Sequence, residues 1–368
     1  MRKFLLFLTG CIVASALHAQ SAPAIGWVER RVSIPAIGAG ANGLDSLIVY
    51  VSTPGKHPLV IMTHGTSREE EQRRELTPWG MLPQAVWFAR RGFVVVTVVR
   101  KGYGVSGGDP DTKYGHCPQT DYERAGDASA EDLRTAADYM RQLPYVDGDK
   151  IISIGVSTGG FASVALSAYP PKGLVAGISF AGGRGSTGPD TVCDPSDLVG
   201  AFKFYGKKSH VPMLWIYSEN DHYFSPALAH KFDEAYHAGG GQDQLVMVPP
   251  FREDGHAFFG GAMQQWSPLV EDFLKAHDLL PLSEPLPAPP VPDIAAPAGL
   301  SESGQRAFHS YLELGPNKAF AFSSDGHLGY SAAQLNKQLA VEKAMENCHK
   351  VEKKADCKVA FINNEAVK

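Results

Sequence analysis

Between residues 25 and 282, short runs rich in β-branched side chains alternate with longer stretches whose apolar positions recur every three to four residues. The short runs predict strands at 30–37, 46–52, 58–63, 93–99, 150–156, 175–180, 213–218 and 244–248. The longer stretches predict helices at 78–91, 128–142, 159–168, 226–238 and 263–277, with a shorter helical piece at 197–205. Ser129, followed three positions later by Asp132, reads as a capping box for the second of these helices. Strands alternating with helices build an α/β fold, here a mostly parallel eight-stranded sheet with helices on both faces.

The pattern changes after residue 280. Seven prolines fall within residues 281–297, so residues 283–300 read as a stiff linker that ends the domain begun at residue 20. Residues 301–368 then predict a small α+β unit: strands at 318–323 and 328–331 around an Asp325-Gly326 turn, a helix at 333–349 and a strand at 358–362. At the other end, Arg2 and Lys3, an apolar stretch over 4–16 and small residues near Ala19 predict a secretory signal covering residues 1–19. Leu8-Thr9-Gly10-Cys11 also matches a lipobox, but the apolar stretch before Cys11 is short for one. No later segment is long and apolar enough to predict a membrane span.

With 44% hydrophobic residues the chain can build a sizeable core. Its net charge of -5 and lack of a basic stripe argue against a nucleic-acid partner and leave small neutral or cationic substrates open. Beyond the signal lie Cys117, Cys193, Cys348 and Cys357. In an oxidising periplasmic or extracellular compartment these predict disulfides, with three connectivities available. Cys348 and Cys357 are near enough in sequence to pair locally, and Cys117 and Cys193 lie on loops predicted at one sheet edge, which favours those two bonds. Without a C-x-x-C pair or a tight His/Cys cluster, neither a zinc site nor any other metal is expected. No cofactor is expected either. The glycine-rich run over 100–108 lacks the phosphate-loop spacing and reads as a structural loop at a site rim.

The candidate chemistry begins where the predicted strand 150–156 ends in Gly155-Val156-Ser157-Thr158-Gly159. A G-x-S-x-G sequence between strand and helix sets its serine on a tight turn with the hydroxyl exposed above the sheet. A serine hydroxyl is a weak nucleophile, so it needs a base and the base needs an orienting acid. Strand 213–218 runs into Asp221, with Glu219 as the alternative acid, and the loop after strand 244–248 carries His256. Asp254 reads as a turn residue. Ser157, Asp221 and His256 therefore all fall at carboxyl ends of strands, the edge where open α/β sheets place their sites. The Thr158 backbone N–H follows the serine, and the Thr66 N–H lies in the loop after strand 58–63; both are candidate oxyanion donors. His64 reads as a structural hydrogen-bonding group.

His64-Gly65, the R-x-G-x-G-x-S-x-G run from Arg100, Gly155-x-Ser157-x-Gly159, Asp221 and His256 together resemble the α/β-hydrolase superfamily over residues 25 to 282. Within it the chain is similar to the dienelactone-hydrolase-like branch and to prolyl-oligopeptidase-type catalytic domains, although too few residues precede the first strand for a propeller. The resemblance implies hydrolysis of an ester, thioester or amide through an acyl-enzyme. Dienelactone hydrolases proper carry cysteine where this chain has Ser157. The expected activity is that of a secreted serine hydrolase acting on carboxylic esters, with two alternatives open: a peptidase acting on short peptides, and a binding protein on a hydrolase scaffold. The C-terminal unit is a candidate contact for an unidentified partner.

Overall fold

The computed structural model of the protein describes residues 26–350, 352–353 and 355–367. The expected signal and lipobox lie outside the described residues. Eight strands, β1 (Gly26–Ile34), β2 (Leu44–Ser52), β3 (His57–Thr63), β4 (Val94–Val98), β5 (Val146–Val156), β6 (Leu174–Phe180), β7 (Met213–Ser218) and β8 (Asp243–Val248), form one sheet. Their order is β1-β2-β4-β3-β5-β6-β7-β8. The first two are antiparallel to their neighbours and the rest run parallel. Pro35 ends β1 before the predicted limit because it cannot donate to the ladder, and the chain turns into a loop there.

Alternation along the central strands sends side chains to two cores. Leu59, Ile61 and Ile151 face one side, where they meet α2 (Tyr122–Met140), α3 (Thr158–Ala168), α4 (Pro195–Gly206) and α5 (Pro226–Gly239) through Leu133, Phe161, Phe202 and Phe232. Val60, Met62 and Ile152 face the other, against α1 (Leu82–Ala89) and α6 (Met263–Ala276) through Phe88 and Trp266. Pro83 has no N–H to donate to Trp79, so the helix expected over 78–91 divides into a 3-10 turn at Pro78–Met81 followed by α1.

One local reading is corrected. Asp121, not Ser129, caps α2, its carboxylate accepting from the Arg124 N–H at 3.0 Å. Ser129 and Asp132 lie a full turn or more inside the helix and face inward. Ser129 Oγ donates to Asp111, and Asp132 accepts from the Lys101 N–H at 2.8 Å. The S-x-x-D spacing is thus occupied by helix-to-loop contacts that tether the segment after β4.

Residues 281–286 run along the main domain, with the Leu286 N–H donating to the Arg90 carbonyl at 2.7 Å. Beyond them α7 (Glu302–Leu312), which the sequence reading did not anticipate, precedes a four-stranded sheet of order β10-β9-β11-β12, formed by β9 (Ala319–Phe322), β10 (Leu328–Ser331), β11 (Lys358–Ile362) and β12 (Glu365–Ala366). Ala319 and Ala321 meet α8 (Lys337–His349) on one face, and Phe320 meets Phe308 and Tyr311 of α7 on the other. Cys348 is bonded to Cys357, closing the end of α8 onto the approach to β11. The Thr77 hydroxyl donates to the Ala333 carbonyl at 2.6 Å, and Lys343 pairs with Glu75 at 3.1 Å. The small unit therefore rests on the turn that leads into α1. Among the described residues no helix is long and apolar enough to cross a membrane.

Candidate active site

Ser157 occupies the single position between β5 and α3, with φ 57° and ψ -121°. A non-glycine residue in that region carries strain of order 1–3 kcal/mol, which only a tightly packed turn sustains. The packing is direct: a Cβ on Gly155 would lie 2.0 Å from the Gly159 carbonyl, and one on Gly159 would lie 2.6 Å from the Thr63 and His64 carbonyls. Strand, serine and helix can follow one another this closely only with glycine at both places. The His64-Gly65 loop lies against the same turn, since a Cβ on Gly65 would approach Ser157 Cβ to 2.9 Å.

Asp221 follows β7 and its side chain is fully buried. One carboxylate oxygen, Oδ1, accepts the N–H groups of Tyr223 at 2.7 Å and Phe224 at 2.9 Å. The other, Oδ2, lies 3.0 Å from His256 Nδ1. A carboxylate can only accept, so His256 carries its proton on Nδ1 and leaves the Nε2 lone pair free. The ring is further held by Tyr223, stacked at 3.9 Å, and by the edge of Phe224 at 5.7 Å. Asp254 accepts from the His256 and His222 N–H groups, which makes it the fastening of the loop, while Glu219 is exposed. Ser157, Tyr223 and Phe224 line one cavity of about 520 Å³, so the serine and the aromatic pair that cradles His256 share a wall. Ser157 and His256 make no hydrogen bond to each other in this arrangement, whose recorded His256 side-chain bonds go to Asp221 alone.

Thr66 and Thr158 line the same cavity and are joined to each other. Their hydroxyls lie 2.8 Å apart, Thr66 Oγ1 is 2.9 Å from the Tyr103 hydroxyl, and Arg100 Nη2 donates to Thr158 Oγ1 at 2.8 Å. Tyr103 donates to Asp111 Oδ1 at 2.6 Å, and Arg100 Nε donates to Asp111 Oδ2 at 3.2 Å. These contacts close a ring whose two arms both run from Arg100 to Asp111. Arg100, which only donates, feeds Thr158, then Thr66, then Tyr103, and the chain ends on Asp111, which only accepts. Every hydroxyl orientation in it is thereby fixed.

Burial works against charge on Asp111, yet the Arg184 and Arg100 guanidinium groups hold its carboxyl far below the usual range. Burial, reinforced by the negative charge of Asp111, pushes the Tyr103 hydroxyl up to about 12, so it remains a donor. His64 is pushed down to about 3 by burial and by the positive charge of Arg100. Its Nε2 accepts the Arg100 N–H at 3.1 Å, so Nδ1 must donate to the Gly65 carbonyl at 2.7 Å. Both ring nitrogens are occupied and the imidazole is neutral, which gives His64 a structural place beside the turn.

The wall of the cavity carries residues that local sequence patterns do not single out. Arg68, Arg73 and Arg184 line it, and none of its lining residues is acidic. Arg68 donates to Ser186 Oγ and the Gly188 carbonyl and lies 3.8 Å over the Tyr223 ring, with no carboxylate partner among the described residues. Both Arg68 and Arg184 also have a buried Nε without a hydrogen-bond partner. Cys117 and Cys193, bonded to each other with Cα atoms 5.6 Å apart, join the loop after β4 to the hairpin after β6 at the cavity's side.

A segment of 94 residues, 26% of this chain, is 35% identical to dipeptidyl-peptidase 5 of Porphyromonas gingivalis, of which it spans only 13%. Acylaminoacyl peptidase of Pyrococcus horikoshii superposes with a TM-score of 0.51 at 18% identity, covering 68% of this chain and 41% of that one. An acylaminoacyl peptidase in complex with Z-Gly-Gly-Phe-chloromethyl ketone superposes with a TM-score of 0.52 at 17% identity, over 70% and 42% of the two chains. At such identities these structures share the α/β-hydrolase fold. The sequence pattern of the dienelactone hydrolase family matches residues 79–268, just over half of the chain and the span that holds Ser157, Asp221 and His256, and the protein is a hydrolase that belongs to that family.

Proposed function

We propose that this protein cleaves carboxylic esters through an acyl-enzyme, with Ser157 as nucleophile, His256 as general base and then acid, and Asp221 as the group that orients the imidazole. The observation that carries this reading is the His256–Asp221 pair, held at the same sheet edge as a serine on a strained turn and packed against Tyr223 and Phe224, which line the serine's cavity. His256 Nε2, its lone pair freed by the proton on Nδ1, takes the Ser157 proton as Oγ attacks the ester carbonyl. The Thr158 and Thr66 backbone N–H groups receive the charge that develops on the carbonyl oxygen. The imidazolium protonates the departing alcohol, and water then repeats the sequence on the acyl-serine. The reaction requires Ser157 Oγ and His256 Nε2 to come within hydrogen-bond reach, and such bonds commonly tighten only when substrate is present.

The positive, acid-free cavity wall supports esters that carry a carboxylate on the acyl or alcohol side. It also weighs against a peptidase that grips a free amino terminus, because no lining carboxylate is available to hold an ammonium group. The relatives named dipeptidyl-peptidase and acylaminoacyl peptidase keep peptide substrates as the second reading. The two disulfides support an oxidising compartment outside the cytoplasm. Labelling with a fluorophosphonate tests the reaction: wild type should be modified at Ser157 and the Ser157→Ala variant should not. Equal labelling of both refutes a Ser157 nucleophile. Matched neutral esters, carboxylated esters and aminoacyl amides then separate the two substrate readings.

A further inference from the structure

At the opposite edge of the sheet from Ser157, the last two turns of α5 and the first residue of β8 bring Asp233, His237 and Asp243 together. Asp243 pairs in register with Met213, at the amino end of β7, whereas Asp221 and His256 lie beyond the carboxyl ends. At ~3.3 Å per residue, the length of β8 alone separates the cluster from that edge by roughly 17 Å.

The Asp243 side chain is fully buried and both its carboxylate oxygens lack a hydrogen-bond partner. A buried carboxylate without donors is strongly unfavourable. The cluster also lies at the carboxyl end of α5, where the helix dipole opposes negative charge and favours a cation. Asp243 has Asp233 and His237 as polar neighbours, and His237 Nε2 is 3.3 Å from Asp243 Oδ1 while its Nδ1 is 3.1 Å from Asp233 Oδ1. Lysine and arginine are absent from these contacts.

One donor atom from each residue, an imidazole nitrogen and two carboxylate oxygens, lies within 4.8 Å of the other two. A tetrahedral zinc ion with ligands at about 2.0–2.2 Å brings its donor atoms to roughly 3.4 Å apart, a closure of at most about 1.4 Å that side-chain rotation can supply. Asp233 and His237 are one helical turn apart and share a face. His237 is half-exposed, which gives an ion an entry path and leaves room for water to complete the shell. We propose that Asp233, His237 and Asp243 bind one zinc-type divalent cation that clamps the end of α5 to the start of β8. A search for closely spaced cysteine and histidine passes over this set because two of its three ligands are aspartates.

The test uses the full chain stripped of metal with a chelator, then titrated with zinc chloride against a chromophoric competitor. Wild type should bind one more equivalent of zinc than Asp243→Asn or His237→Ala, and zinc should raise the melting temperature of wild type alone. Calcium or magnesium should bind at least ten-fold more weakly. Equal zinc stoichiometry in wild type and both variants overturns the proposal, as does tighter binding of calcium than of zinc. His237→Ala removes a half-exposed side chain, so it decides the matter if Asp243→Asn does not fold.

Discussion

Replacing Asp111 with asparagine removes the acceptor on which the ring beside Ser157 converges. Asp111, Arg100 and Arg184 are 5%, 1% and 6% exposed, so water cannot substitute for the lost charge. The carboxylate now takes bonds from Arg100 Nε, Arg184 Nη2, Tyr103 and Ser129. Asparagine offers one acceptor oxygen to those donors and turns an amide N–H toward them, while the two guanidinium groups keep their mutual repulsion. Removing one partner of a buried ion pair costs about 3–5 kcal/mol. For a domain of this size one kcal/mol corresponds to about 2–4 °C, so the melting temperature should fall by about 6–20 °C. Calorimetry at two salt concentrations measures this, and the difference should persist in high salt because the cluster is shielded from solvent. Turnover of an ester should also fall through kcat, since Tyr103 no longer anchors Thr66 and Thr158. The control is Ser129→Ala, which deletes one neutral donor to the charged carboxylate and should cost about 1.5–3 kcal/mol. A melting shift below about 3 °C for Asp111→Asn, or an effect equal to that of Ser129→Ala, refutes the idea that this carboxylate holds the ring together.

His64, held near 3 against about 6.5 in an unfolded chain, makes the native state the poorer proton binder between those values. Its contribution to stability is therefore complete above about pH 6.5 and is lost toward pH 3, at ~1.4 kcal/mol per pH unit. Urea titrations should show this slope in wild type and a shallower one in His64→Asn; identical slopes would remove His64 as the cause. Arg68→Ala should lower kcat/KM for a carboxylated ester by roughly ten- to hundred-fold, the worth of a hydrogen bond to a charged group, and leave the neutral analogue nearly unchanged. A parallel loss on both esters would assign Arg68 a structural part only. Replacing Cys117 and Cys193 with serine should cost about 2–4 kcal/mol and raise KM, because the bond closes a separation of 76 residues and borders the cavity. Loss of the Cys348–Cys357 bond, across nine residues, should cost less. Thermal melting of the two serine pairs ranks them, and the opposite ranking would overturn the loop-closure account.

The features legible in the sequence are those that parallel topology converts into position. In a parallel sheet every strand's carboxyl end reaches the same edge, so locating the ends of β5, β7 and β8 already brings Ser157, Asp221 and His256 to one side, whatever the loops between them do. Features set by how loops fold back on the sheet lack that conversion. Arg68, Arg73 and Arg184 belong to two segments more than a hundred residues apart, and no local period marks them as neighbours. The Ser129-x-x-Asp132 spacing misleads for a related reason. It satisfies a local rule for a helix start, while the helix start is decided by Asp121 and both residues are engaged by Asp111 and Lys101 from a different stretch of chain. Helix α7 escapes notice because its apolar partners, Phe320 and Phe361, come from strands that follow it, and their pairing gives Phe308 and Tyr311 a surface to bury. The lining of the cavity beside Ser157 rests on this second class of features. The sheet sets the order of the candidate reacting groups, but the cavity's charge comes from arginines outside the sheet, of which Arg184 is held by Asp111 and Arg68 by Ser186 and Gly188. Variation in loop sequence can therefore change the charge and shape of this cavity while the placement of Ser157, Asp221 and His256 at the sheet edge stays the same.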